Sequence, residues 1–143
     1  MSAYTKLKNR HQQEVNDFPM FFAFSDKQFE EGMARFGLKP TDTKKIYKLG
    51  NTGGFYLRSD AQKLRDMFDR HNQEMSEAIK NDDDFVYQMF LYELANHEYC
   101  ITYDLEPTLD ACGLTFDEVQ KDQRLADLLK KAKADYLEKY DEW

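Results

Sequence analysis

Asp82-Asp83-Asp84-Phe85-Val86-Tyr87-Gln88-Met89-Phe90-Leu91-Tyr92-Glu93-Leu94 is the stretch on which the fold turns. From Phe85 to Leu94 apolar side chains occur almost all round the helical repeat, so the spacing predicts a central helix, buried on most sides and running to about Glu98. The three carboxylates before it break it from the preceding segment and favour the positive end of the helix that follows. The apolar run is well short of the roughly 18 residues a membrane-spanning helix needs.

Working outward, Ser59-Asp60-Ala61-Gln62 reads as a capping box that opens a long helix to about Asn81, with Leu64, Met67, Phe68, His71, Met75 and Ile79 on one side. Further back, Tyr4, Leu7, His11, Val15 and Phe18 recur at helical steps until Pro19 ends the pattern. Phe18-Pro19-Met20-Phe21-Phe22-Ala23-Phe24 is too aromatic for a surface loop and reads as a buried extended segment, its proline suiting an edge or a strand start. Ser25 with Gln28 forms a second capping box, and Gly37 is placed to close that helix. Lys45–Leu49 and Phe55–Arg58 flank Gly50-Asn51-Thr52-Gly53-Gly54, the pattern of a hairpin; no Gly-Lys-Ser/Thr end marks it as a phosphate cradle.

Downstream, Tyr99–Tyr103 is β-prone and is a candidate third strand beside the hairpin. Pro107 opens a short helix ending at Gly113, Thr115 caps another, and Asp122 leads into a last helix carrying Leu125, Leu128, Leu129, Ala132, Tyr136 and Tyr140. The expected class is therefore α+β, mainly helical with about six helices around an aromatic-rich core. A small antiparallel sheet is expected near residues 45–58 and over 99–103.

The chain has 143 residues, of which 33% are charged against roughly 25% in an average soluble protein, and 15% are aromatic. That is ample core material for one domain over 1–143 and excludes disorder over most of its length. The overall charge of −7 is unevenly distributed: residues 1–80 hold 14 Lys and Arg against 11 Asp and Glu, whereas residues 81–143 hold 6 against 16. A uniformly basic nucleic-acid binder is excluded. The first residues lack the apolar run of a secretory signal, and the two cysteines, Cys100 and Cys112, form no Cys-x-x-Cys pair, so a cytoplasmic protein with reduced thiols is expected.

Chemistry-bearing constellations are sparse. His11, His71 and His97 are far apart in sequence, and none has a second histidine four residues on. His97 and Cys100 could share a metal if an acid such as Glu93 faced them, yet a zinc site wants three or four ligands. Asp82-Asp83-Asp84 reads as a helix cap before it reads as a cation site. Leu109–Val119 has the cadence of a helix-turn-helix, but Phe116-Asp117-Glu118 sets carboxylates where phosphates would approach, so two packed helices are expected and no direct contact with nucleic acid. No cofactor and no catalytic residue is expected.

What remains is the acidic second half. Asp82, Asp83, Asp84, Glu93, Asp110, Asp117, Glu118 and Asp122 supply carboxylates on helices, an array able to occupy a basic groove that normally takes nucleic acid. Tyr136, Tyr140 and Trp143 are candidate interface anchors or core-closing residues.

Residues 11–33, with Asn16-Asp17-Phe18-Pro19-Met20-Phe21-Phe22-Ala23-Phe24-Ser25-Asp26 at their centre, together with Met67-Phe68-Asp69-Arg70-His71 and Tyr92-Glu93-Leu94-Ala95-Asn96-His97-Glu98-Tyr99, resemble a family of small acidic proteins of unknown function. Such proteins are carried on conjugative elements and phages of gut Firmicutes. The resemblance covers nearly the whole chain and transfers no site residue. It implies a setting in which small acidic proteins act against host defences, as anti-CRISPR or anti-restriction proteins. The expected function is a non-enzymatic inhibitor or adaptor whose protein partner is a nucleic-acid-binding defence nuclease. The alternatives are an accessory protein of the mobile element that binds through an apolar surface, and a small metal-dependent enzyme.

Overall fold

A computed structural model describes residues 1–140. In chain order these form α1 (Ala3–Asp17), β1 (Phe21–Phe22), α2 (Asp26–Arg35), β2 (Ile46–Leu49), β3 (Gly54–Leu57), α3 (Ala61–Asn81), α4 (Asp83–Asn96), α5 (Tyr99–Thr102), α6 (Glu106–Ala111), α7 (Phe116–Lys121) and α8 (Gln123–Tyr140). The mainly helical α+β class holds, with eight helices among the described residues in place of about six. None of these helices is long and apolar enough to cross a membrane. The chain divides into two compact units, His11–Gln73 and the combination of Met1–Arg10 with the chain from Glu74 onward. We call them the sheet unit and the helical unit.

In the helical unit, α4 is the centre that its sequence demands. Phe85, Val86, Met89, Phe90 and Leu94 are all buried, and the helix packs most extensively against α8, whose Leu125, Leu129, Ala132 and Tyr136 join the same core. Tyr4 enters from α1 with its ring edge-on to Phe85, centroids 5.6 Å apart. Burying each of the Val, Leu, Phe and Met side chains of this set stabilises the fold by about 1.5–3 kcal/mol relative to leaving it exposed.

The sheet unit has a separate interior. β3 lies between β1 and β2, antiparallel to both, with Phe21 opposite Phe55 and Ile46 opposite Leu57. Phe21 stacks on Phe55 at 5.2 Å and meets Phe29 and Phe36 edge-on. Gly32 makes this possible: a Cβ there would sit 2.0 Å from the Phe21 ring. Of the aromatic run 18–24 only Phe21–Phe22 form the third strand, an edge strand following Pro19, and the expected burial of the whole run is corrected: Phe22 and Phe24 are 49% and 77% exposed.

The expected strand at 99–103 is a correction. Those residues form the one-turn helix α5, bracketed by Glu98 and Tyr103 in left-handed backbone, both at φ 53°. Tertiary packing overrides the local β-propensity: Tyr99 is buried beside Tyr136, whose hydroxyl oxygen accepts the Cys100 amide at 3.1 Å. The Ser59 box is a second correction, because Arg58–Asp60 form a 3₁₀ turn leading directly into α3.

Candidate protein-binding face

Six of the eight carboxylates singled out from the sequence sit at helix starts, and capping chemistry explains where. Asp82 caps α4 by accepting the Phe85 amide at 3.1 Å, and Asp122 accepts the Leu125 amide at 3.2 Å at the start of α8. Thr115 caps α7: its hydroxyl oxygen accepts the Glu118 amide at 3.1 Å and its hydroxyl donates to the Glu118 carboxylate at 3.1 Å. Each cap satisfies an amide that would otherwise lack a partner, worth about 1 kcal/mol. Asp83 pairs with Arg124, whose guanidinium also donates to the Ile79 carbonyl at 2.6 Å, and Asp117 pairs with Lys121 at 2.8 Å. Asp84 and Asp110 stand exposed on α4 and α6.

Seven of the eight carboxylates singled out from the sequence are therefore exposed, at Asp82, Asp83, Asp84, Asp110, Asp117, Glu118 and Asp122. Glu93 is the exception, and its place on an outer acidic face is corrected: it is 0% exposed in the core of the helical unit. It accepts hydrogen bonds from the Tyr4 hydroxyl at 2.7 Å, the Lys8 ammonium at 2.7 Å and the Asn96 amide at 3.3 Å. Burial pushes its carboxyl up, but the bonds from Lys8, Tyr4 and Asn96 outweigh burial and hold it below its ordinary value. The same burial, reinforced by the Glu93 charge, raises the Tyr4 hydroxyl and pushes the Cys112 thiol up to about 12. Cys112 is thus a buried, inert thiol. The sequence signal for this network was a lone acid on a helix apolar all round, one turn after Met89 and one turn before His97.

Of the two residues that an acid would have to face for His97 and Cys100 to share a metal, Glu93 approaches His97. His97 Nε2 lies 3.3 Å from a Glu93 oxygen without the alignment of a hydrogen bond. No group of three His, Cys, Asp or Glu side chains among the described residues could hold a metal. In the sheet unit the other two histidines stack at 3.9 Å, His11 on His71, and Glu14 binds both Arg70 and His71. Hydrogen bonds from Arg70 and then His71 hold the Glu14 carboxyl down at about 2. Sequence spacing placed His71 on a core stripe but gave no sign of its partners.

Of the candidate anchors, Tyr136 is buried and closes the core, with Tyr140 packed on it at 4.7 Å. Trp143 lies outside the described residues. The helix-turn-helix cadence resolves into α6, a glycine turn and α7. Gly113 at φ 70° and the Leu114 amide bonding back to the Leu109 carbonyl at 3.0 Å close α6. This corner encloses an open pocket of ≈ 450 Å³, floored by Leu105, Leu109, Leu114 and Phe116 and rimmed by Asp104, Glu106 and Asp110. Sequence reasoning missed it, because the pocket depends on how the turn at Gly113 sets α7 against α6.

No curated protein and no solved structure matches the chain. A family model does match it, over residues 3–135. The aromatic sheet and all of the buried helical core except Tyr136 fall inside that span, and the chain belongs to the DUF7659 family, a family of unknown function.

Proposed function

We propose that the protein is a non-enzymatic, cytoplasmic inhibitor or adaptor that sets the carboxylates of its helical unit against a basic surface of a protein partner. The observation that carries this reading is the exposure of Asp82, Asp83, Asp84, Asp117, Glu118 and Asp122 at the capped starts of α4, α7 and α8, with Asp110 exposed near the end of α6. The sequence of that unit, residues 1–10 and 74–143, carries 18 acids against 10 bases. Charges held on capped helices lose little freedom on binding, and counterions released from both surfaces add affinity. The partner that fits best is the nucleic-acid groove of a host defence nuclease. The resemblance to proteins of phages and conjugative elements supports that choice by setting alone.

Capture from a host lysate at two salt concentrations tests the reading. Retention at low salt and loss at high salt support it; the combined variant Asp84→Lys, Asp110→Lys, Asp117→Lys, which spares the caps Asp82 and Asp122, should abolish capture while leaving the helical circular dichroism intact. Undiminished capture by that variant would overturn it. A second reading, an accessory protein of a mobile element that binds through an apolar surface, is favoured by Ile101, Tyr103 and Phe116, which are 72%, 64% and 55% exposed. Its complex should be nearly indifferent to salt.

A further inference from the structure

We propose that the pocket at the corner of α6 and α7 is the docking site for an extended segment of the partner in which an apolar side chain is flanked by lysines or arginines. The inference rests on the protein-binding reading above and gives it a location and an occupant. The floor asks for an apolar group. Leu109 belongs to the core, Leu105 and Leu114 are half-buried, and Phe116 holds its ring 55% exposed at the first position of α7 while Val119, three residues on, takes the inward place. A pocket of ≈ 450 Å³ lies within the range of about 300–1,000 Å³ of small-molecule sites and so has room for an apolar side chain.

The rim asks for cations. Asp104, Glu106 and Asp110 are exposed carboxylates that line the same pocket, no Lys, Arg or His lines it, and none of the three carboxylates is paired with a base among the described residues. Asp104 spends one oxygen on the Glu106 amide at 3.0 Å, which fixes the rim in place. Phosphates are repelled by such a rim, and a purely apolar segment leaves it uncompensated. A segment that brings Lys or Arg on either side of one apolar residue satisfies floor and rim together.

Three labelled nonapeptides of equal length test this by fluorescence anisotropy: Lys/Arg-flanked with Leu-Phe at the centre, Lys/Arg-flanked with Ser-Gly at the centre, and Glu-flanked with Leu-Phe at the centre. The first should bind about tenfold tighter than either control, and Phe116→Ala should weaken it by about tenfold. The pair Glu106→Gln, Asp110→Asn should do the same, whereas Phe116→Leu should retain most of the binding. Amide shift changes on titration should centre on residues 104–116. Equal binding of the two basic peptides with Phe116→Ala silent overturns the pocket and leaves the carboxylate face standing. Failure of every basic peptide, equal binding of the Glu-flanked peptide, or shift changes centred elsewhere also overturns it. The broader reading is judged separately, by the salt-dependent capture described above.

Discussion

The sheet unit and the helical unit solve the problem of burial in different ways. The sheet unit closes on four phenylalanine rings, Phe21, Phe29, Phe36 and Phe55, and residues 11–73 carry 9 acids against 10 bases. The helical unit has a larger mixed core, buries a carboxylate at Glu93 inside it, and carries the whole of the chain's negative excess. The contrast teaches that the net charge of −7 is not a property of the whole surface. It is concentrated on one unit, whose helix starts hold carboxylates in place, while the other stays close to neutral.

The contrast can be broken at its strongest points first. Phe21→Ala removes the ring around which the sheet unit packs and should cost about 3–5 kcal/mol in urea unfolding. In the helical unit Glu93→Ala strands the Lys8 ammonium and the Tyr4 hydroxyl; because Lys8 is partly exposed and can rehydrate, the loss should be nearer about 3 kcal/mol. Adding Tyr4→Phe and Lys8→Met to Glu93→Ala leaves the cavity but no stranded partner on those two residues; recovery of part of the loss marks the stranded groups, and no recovery marks the cavity. Asp82→Ala should cost only about 1 kcal/mol, the worth of one cap.

A smaller effect appears on acidification, to which Glu93 of the helical unit, also held below its ordinary value, responds in the same direction. Glu14 sits near 2 in the folded chain against an ordinary value of 4.5, so its bonds to Arg70 and His71 stabilise the fold above about pH 4.5. That contribution is lost as pH falls from 4.5 through about 2. Glu14→Gln should therefore flatten the decline of the melting temperature across this window. An unchanged decline would remove Glu14 from the acid response.

Much of this architecture was legible because capping chemistry is local. Ser25 with Gln28, Asp82, Thr115 with Glu118, and Asp122 each mark a helix start within a few residues of sequence, and each makes its expected bond. The features that escaped are non-local. Tyr99–Tyr103 has strand-forming residues, but Tyr99 gains more from the α8 tyrosine than from an extended ladder. Glu93 read as surface charge because nothing nearby in sequence announces Tyr4 or Lys8, 89 and 85 residues away. Exposed carboxylates on α4, α6, α7 and at the start of α8 could be named from the sequence, whereas the pocket beside Phe116 could not.

The claim that the helical unit is the contact surface meets its most direct test in paired charge reversals, read as affinity for the captured partner at fixed salt. One protein carries Asp84→Lys, Asp110→Lys and Asp117→Lys in the helical unit; the other carries Glu30→Lys, Glu31→Lys and Asp69→Lys at exposed positions of the sheet unit. Both change the net charge equally. A loss of more than about tenfold in the first protein with a change within about twofold in the second is the expected result. Equal losses in the two proteins, or a loss confined to the sheet-unit variant, would contradict it.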